Sequence, residues 1–459
     1  MTDATQPGSG AVGPWGMRST AAAVAAAEQA ARASVPPIAS ALGASPPAGG
    51  NVRVGFTGAG GQLLGLLVKG MLLQIVTLGI YRFWFITDMR RFYWSHTRVG
   101  PEEVAYTGRG IELFKGFLVA LAIIVPIQAA GFFVVLGLPS AEIIVSSSVT
   151  IIFLFLSQYA AYAGRRYRLT RTSFRGLRLR MVGSAWTYAA KAFGLWILVI
   201  LSLGLAYPWV AAILERIKMR DTWYGDAQGA FVGTAGTLFR RGILIWALGF
   251  GLPLLMIGST IATIPYEVWR EFGTTVAAGN IEPAGRLAVA IYMLMGAVFT
   301  ALLIPILLFP AFQAVVFRWR MEGIRLGGAA LASDFRIGAA YRVYVLGALG
   351  LIGIGLVISL IVGLLFGGLI AAMFYGGAND FASPASGVVG LVTIALAYLF
   401  VFGGFWVAKQ ILITLGLYRA QARSVSVLNL AALDNVRANN VDASAMGDSL
   451  GDAVDVLGF

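Results

Sequence analysis

Long apolar runs recur along most of this 459-residue chain, and they restrict its fold more than any other feature. A helix of about 20 apolar residues crosses the ~30 Å hydrocarbon core of a bilayer. Hydrophobic residues make up 58% of the chain and charged residues only 12%, whereas soluble domains carry about 25% charged residues. The sequence therefore predicts a polytopic membrane protein that is mainly α-helical.

Counting the apolar runs predicts an α-helical membrane bundle of about ten spans. The runs cover residues 62–76, 80–94, 113–138, 143–163, 186–202, 206–217, 243–264, 287–317, 343–374 and 388–418. The first two are short for straight spans and flank a break at Thr77-Leu78-Gly79. They form either two thin spans or one re-entrant hairpin, and we favour two spans.

Basic residues at the ends of these runs set the expected orientation. A cluster of basic residues follows each even-numbered run, for example Arg90, Arg91 and Arg98 after the second run. The loops that follow the odd-numbered runs hold few charges. Cytoplasmic loops carry such an excess of Lys and Arg. We therefore expect both termini in the cytoplasm and the loop 265–286 in the periplasm. The net charge of +13 has the same explanation, so no nucleic-acid partner is predicted.

A fixed spacing after the even-numbered runs predicts internal repeats. Counting from Phe83, a Thr lies at offset 14 (Thr97) and a Gly at offset 17 (Gly100). The same offsets from Pro208, Pro310 and Tyr159 give Thr222 with Gly225, Ile324 with Gly327, and Ser173 with Gly176. An Arg lies at offset 8 in three of the four cases. We expect a unit of one β-segment and two spans, present about five times.

Short stretches with a period of two predict cytoplasmic β-segments between the spans. They cover residues 52–56, 104–108, 177–180, 229–233 and 330–335. Unpaired strand edges are not stable in lipid, so the strands should pair at the cytoplasmic surface, as one small sheet or as several hairpins. Tyr106 and Phe231 should then lie on paired strands.

The first unit resembles a known family. Its sequences TLGIYRFW at 77–84, RRFY at 90–93, HT at 96–97, YTGRG at 106–110 and ELF at 112–114 are similar to the YjgN family of bacterial inner-membrane proteins. The resemblance extends from residue 52 to the C-terminus. The third and fourth units are similar to the family only in outline. It implies a multi-span inner-membrane protein with no established activity.

Composition also divides the chain. Residues 1–50, rich in Ala, Pro, Gly and Ser, should form a disordered cytoplasmic arm. Residues 51–424 should form the repeat-built transmembrane domain, and 425–459 an acidic cytoplasmic tail. The chain has no cysteine and one histidine, His96, and it contains no Walker, GxSxG or HExxH sequence. We therefore expect no cofactor, no metal and no enzymatic activity.

Ionisable residues in or beside the apolar runs are the candidate functional residues, because a charge in lipid is costly and faces the bundle interior or a cavity. Asp88 with Arg91, and Glu112 with Lys115, lie three residues apart, so each pair shares a helix face. Lys409 lies well inside its run. The full set is Arg82, Asp88, Arg90, Arg91, Glu112, Lys115, Lys191, Arg216, Arg318 and Lys409.

Two functions stay open at this level. The protein is a transporter or channel for a small solute, an anionic one if Arg91, Arg216, Arg318, Lys115 and Lys191 form a ring at its mouth. Alternatively, it is a non-catalytic protein that organises the membrane or binds partners or lipids. The same ring would then hold anionic lipid headgroups at the cytoplasmic face. The sequence does not identify a protein partner.

Overall fold

The computed structural model of this chain describes residues 51–277, 285–375 and 384–438. The predicted arm 1–50 and the acidic part of the tail lie outside the described residues. Two π-helical segments, Ala247–Gly251 and Gln410–Leu415, continue the helices Ala235–Trp246 and Pro384–Lys409. The α-helices are α1 Gly60–Val76, α2 Arg82–Ser95, α3 Gly110–Gly137, α4 Glu142–Thr170, α5 Ala185–Leu201, α6 Tyr207–Arg220, α7 Ala235–Trp246, α8 Leu252–Thr263, α9 Tyr266–Ala277, α10 Gly285–Gly323, α11 Ile337–Tyr375, α12 Pro384–Lys409 and α13 Gly416–Ser424.

Ten short strands of the described chain close into one antiparallel barrel. The strands are β1 Val52–Phe56, β2 Thr97–Val99, β3 Glu102–Tyr106, β4 Thr172–Phe174, β5 Leu177–Met181, β6 Thr222–Tyr224, β7 Ala227–Phe231, β8 Ile324–Leu326, β9 Ala329–Ser333 and β10 Val425–Leu428. Each strand pairs with its neighbours in the sequence, and β1 pairs with β10 to close the ring. The two ends of the described chain therefore meet in one sheet.

Cross-strand pairs keep one inside and one outside face around the barrel. Paired residues share a face in an antiparallel sheet, so Val54 opposite Val99 and Leu331 opposite Val427 point the same way. These side chains belong to one hydrophobic cluster that also contains Leu179 and Tyr224. Small barrels are filled by their own side chains, and this interior is accordingly an apolar core.

The helices leave the barrel at one end, where five equivalent backbone bonds close its rim. The residue after each long strand donates its N–H to the carbonyl of the residue before the next short strand. These bonds measure 2.7–3.0 Å and run from Thr57 to His96, Thr107 to Arg171, Val182 to Asp221, Val232 to Gly323 and Asp334 to Ser424. The strand ends are thus saturated where the helices begin.

The other end of the barrel is covered by the chain that follows β10. Leu430 and Leu433, on a 3-10 turn, are buried against the barrel core. Arg175, at the β4–β5 turn, pairs with both Glu102 and Asp434. Residues after 425, assigned to the tail in the sequence analysis, therefore begin with a barrel strand and continue as its cover.

The prediction of a helical bundle of about ten spans is wrong. Among the described residues, six helical stretches are long and apolar enough to cross a membrane, and the ten strands form a closed barrel in addition. Four of the ten predicted spans are the helices α1, α2, α5 and α6. These contain 17, 14, 17 and 14 residues, so they reach only about 25 and 21 Å at 1.5 Å per residue.

These four short helices form two hairpins with the same tip. Leu78 and Leu203 have φ of 51° and 50°, and the glycine that follows each has φ of 88° and 86°. The Thr77 and Ser202 hydroxyls accept the N–H of the fourth residue on, at 2.9 and 3.0 Å. Apolar side chains cover the tips, and Leu78 is 94% exposed. A tip with paired backbone and exposed apolar side chains fits a lipid environment.

The five predicted β-segments overlap β1, β3, β5, β7 and β9, and their strand character is confirmed. Tyr106 pairs with Thr172 and Phe231 with Ile324, so the prediction that both lie on paired strands is also confirmed. The three-residue strands β2, β4, β6 and β8, and the four-residue β10, were not predicted. A strand of three residues is too short to show a period of two.

Candidate functional site

A large apolar pocket opens between the α5–α6 hairpin, α7 with its π-helical continuation, and α10. Its volume is about 540 Å³, and its walls include Trp196, Tyr207, Phe239, Trp246, Phe250 and Phe309. Ligand pockets in proteins span roughly 300–1,000 Å³ and are mostly apolar. The space is therefore of ligand size, and nearly all of its lining is hydrocarbon.

The hairpin tip and two helix irregularities shape this pocket. Trp246 Nε1 donates a hydrogen bond to the Leu203 carbonyl oxygen at 3.0 Å, which fixes the tip against α7. The π-helical segment follows at once, and Pro305 and Pro310 lie inside α10. A π-turn and an internal proline both bend a helix axis and weaken its regular packing. The pocket lies beside these irregular helix segments and the hairpin tip.

The pocket faces outward from the helices. Phe250 is 51% exposed and Phe309 is 48% exposed, although both line the pocket. Glycines keep the floor open, since a Cβ atom built on Gly242 meets nothing within 4 Å. In a protein with membrane-spanning helices, such an opening faces lipid tails.

Two of the three arginines of the predicted ring donate hydrogen bonds to backbone carbonyls. Arg91 Nη2 donates to the Gly108 oxygen at 2.9 Å, and Arg216 Nη2 to the Gly233 oxygen at 3.4 Å. Arg318 instead donates to Glu322, four residues on, at 2.8 Å. Arg91 and Arg216 thus hold the junctions between a long strand and the next helix.

Two further arginines make the same junction contact and were missed. Arg166 Nη1 donates to the Gly183 oxygen at 2.7 Å, and Arg419 Nη2 to the Gly58 oxygen at 3.0 Å. Arg166 was not predicted because the repeat offsets of its unit were counted from Tyr159, one residue too late. The β4 strand starts at Thr172, so counting from Gln158 places this Arg at offset 8.

Other predicted residues make local contacts near the barrel rim. Asp88 Oδ1 lies 3.6 Å from Arg91 Nη1. Arg90 Nη1 donates to the Tyr106 hydroxyl at 3.2 Å. Arg82 begins α2. Glu112 was expected to pair with Lys115, but it accepts two hydrogen bonds from Arg171, each 3.0 Å long.

The three predicted lysines are all exposed. Lys115 and Lys191 lie on α3 and α5, and Lys409 ends α12 just before the second π-helical segment. That these lysines form a ring with Arg91, Arg216 and Arg318 stays a prediction.

A buried charged cluster lies where α4, α6 and α10 approach the barrel. It was not predicted from the sequence. Glu215 on α6 is only 3% exposed. Its Oε1 lies 2.7 Å from Lys218 Nζ and 2.9 Å from Arg320 Nε. The sequence does carry a signal, because Glu215 and Lys218 precede Thr222 by seven and four residues, and Arg165 and Arg168 precede Thr172 by the same distances.

Comparison with known proteins gives a family match over most of the chain. The family described as bacterial protein of unknown function (DUF898) matches residues 51–453. The inner membrane protein YjgN of Escherichia coli O157:H7 is 27% identical over 157 residues, which is 33% of this chain and 36% of that protein. The YjgN of Escherichia coli strain K12 is 26% identical over 153 residues, with the same shares. The alignment thus spans about a third of these relatives. No solved structure matches.

Proposed function

The chain belongs to this bacterial family of unknown function, and it is an integral membrane protein; we propose that it is a non-catalytic inner-membrane protein that binds membrane lipid through its lateral pocket. The observation that carries the proposal is the apolar space of about 540 Å³ beside the α5–α6 tip. An acyl chain fits such a space because both are apolar, and filling the gap adds van der Waals contacts that an empty space lacks. The inner-membrane location rests on the name of the relatives.

The contrast with the barrel supports a lipid over a water-soluble ligand. A soluble ligand needs polar groups along its site, and the pocket offers mainly aromatic and aliphatic side chains. The barrel interior, which would be an axial path, is packed with side chains such as Leu179 and Tyr224. Lateral entry from the bilayer is therefore the simplest access to the open space.

A tryptophan placed inside the pocket tests the proposal. Gly242 lines the pocket, and its Cβ direction is open, so Gly242→Trp should fill the space without displacing backbone. Gly236→Trp is the matched control, since Gly236 lies on the same helix, has equally open surroundings and is not part of the lining. Purified proteins would be reconstituted with a phospholipid that carries a photoreactive diazirine on its acyl chain.

We expect cross-links on α7 and α10 in the parent and in Gly236→Trp, and their loss in Gly242→Trp. Thermal unfolding of all three proteins would show that the fold is intact. Cross-links spread evenly over every membrane helix, or unchanged in Gly242→Trp, would mean that the pocket holds no specific lipid.

We further propose that the barrel and both termini lie in the cytoplasm. Support comes from the Arg-rich helix ends that enter the barrel, because such residues are retained on the cytoplasmic side. A topology reporter fused after Gly273, on α9 at the opposite ends of the helices, should be active only in the periplasm. Activity in the cytoplasm would reverse this orientation.

Transport of a small anion is the second candidate, and the buried cationic cluster around Glu215 favours it. If a path passes this cluster, anion flux into vesicles of fixed lipid composition should fall in Arg165→Gln and in Arg320→Gln. Absence of anion flux in the parent protein would contradict the transport proposal.

A further inference from the structure

The cluster around Glu215 contains more positive than negative charge. Arg165 on α4 interacts electrostatically with Glu215, with Arg168 and with Arg320. Lys218 interacts with Glu215, Arg165 and Arg320 in turn. Three cations, Arg165, Lys218 and Arg320, thus interact with one carboxylate. The cluster therefore has an excess of positive charge, and like charges in a medium of low dielectric constant repel strongly.

One of its hydrogen-bond donors is also unsatisfied. The Nε atom of Arg165 is fully buried and has no hydrogen-bond partner, whereas Arg320 Nε lies 2.9 Å from Glu215 Oε1. A guanidinium has five donors in a planar fork, and buried donors are almost always paired. An unpaired N–H group beside excess positive charge is an environment that an anion would complete.

The cluster is partly accessible from outside, and Arg320 follows the pocket-lining Val316 by four residues on α10. The Arg320 side chain remains 42% exposed, so a ligand can reach it from outside. Tyr207 lines the pocket and also interacts electrostatically with Arg320 and Glu215. One molecule with an apolar tail and an anionic head therefore has room in the pocket and partners at the cluster.

We propose that Arg165, Lys218 and Arg320 form a binding site for a phosphate-type oxyanion at the junction of the helices and the barrel. Guanidinium and ammonium groups together recognise phosphate oxygens by charge-assisted hydrogen bonds. Glu215 holds Lys218 and Arg320 in position by direct contact. The phosphate belongs either to a lipid headgroup, whose tails occupy the pocket, or to a free anion. The site itself does not depend on the lipid proposal.

Thermal unfolding of the full chain in an uncharged detergent tests the site. Inorganic phosphate and a short-chain phosphatidic acid would be titrated separately against chloride at constant ionic strength. We expect at least one of the two phosphates to raise the unfolding temperature in a saturable manner. Arg165→Gln and Arg320→Gln should weaken this binding by about tenfold or more, as expected for the loss of a hydrogen bond to a charged group. Arg220→Gln, which removes an exposed cation from the same helix as Lys218, should bind like the parent.

The ligand-free proteins separate binding from a merely structural role. Arg165→Gln removes repulsion from the empty cluster, so it should unfold at a higher temperature than the parent before phosphate is added. A purely structural arginine would give a lower temperature. Glu215→Gln should have the opposite effects, with lower stability and tighter phosphate binding.

The two sources of phosphate are distinguished by Gly242→Trp. Loss of the phosphatidic acid effect with this variant assigns the site to a lipid headgroup, and an inorganic phosphate effect that the variant leaves unchanged assigns it to a free anion. The proposal is overturned if neither phosphate acts, if chloride acts equally, or if Arg165→Gln and Arg320→Gln bind like the parent. The pocket proposal fails separately, through the acyl-chain cross-links.

Discussion

The barrel interior and the lateral pocket are both apolar, yet one is filled and the other is open. Inside the barrel, side chains from paired strands, such as Val54 and Val99, meet in one cluster, and Leu433 covers the end. Beside the α5–α6 tip, a similar set of apolar side chains leaves about 540 Å³ unfilled. The filled space is a folding core, whereas the open space is where a ligand has room.

The difference arises from how each wall is held. Every barrel strand is bonded to two neighbours, so the interior width is fixed and small enough for side chains to fill. The pocket walls belong to helices interrupted by a π-turn and by prolines, and no backbone bonding draws them together.

The largest expected effect comes from a charge placed in the filled space. Val427→Asp on β10 would bury an unpaired carboxylate in the core, which should cost about 4 kcal/mol or more and prevent stable folding. Ser426→Asp is the control, because its side chain lies on the outer face opposite Arg53. Detergent-solubilised yield and thermal unfolding would show the contrast, and equal stability of the two variants would mean that the interior contains water.

A smaller effect should follow from loosening the barrel cover. Arg175→Ala removes the pairs with Glu102 and Asp434, so residues 429–438 should exchange amide hydrogens faster. Burial of Leu430 and Leu433 would still hold the segment in part, so we expect a local loss of about 1 kcal/mol. Hydrogen exchange of the helices should stay unchanged. Arg178→Ala, an outward residue on β5, provides the comparison.

The smallest effect concerns the junction arginines. Arg91→Gln loses a bond to the Gly108 carbonyl and should lower the free energy of unfolding by about 1 kcal/mol. Arg318→Gln loses only an exposed pair with Glu322 and should cost no more than about 0.5 kcal/mol. If denaturant unfolding gives equal losses, the carbonyl contact contributes nothing specific.

Sequence reasoning predicted half of the barrel strands and the membrane class, and the missing half has a physical explanation. The long strands show alternation, but a segment such as Thr222–Tyr224 becomes a strand only by pairing with its neighbours. The closure of β1 on β10 joins residues separated by most of the chain. No local pattern encodes such a contact.

The number of spans was overestimated because apolar composition does not measure helix length. Hairpin helices such as Ala185–Leu201 are as apolar as true spans but are followed by a tight turn at Leu203 and Gly204. The charged cluster was missed because Glu215 and Arg320 are distant in sequence, and only the barrel brings their helices together. That the chain consists of five repeated units stays a prediction.

Single-cysteine labelling tests most directly whether the barrel is filled and closed. The chain has no native cysteine, so Ala329→Cys, on the inner face and 4% exposed, and Ala230→Cys, on the outer face and exposed, can be compared in one background. With a water-soluble maleimide, we predict rapid labelling at 230 and labelling about tenfold slower or more at 329, because access there requires local opening. Equal rates at the two positions would show a water-filled barrel and contradict the account.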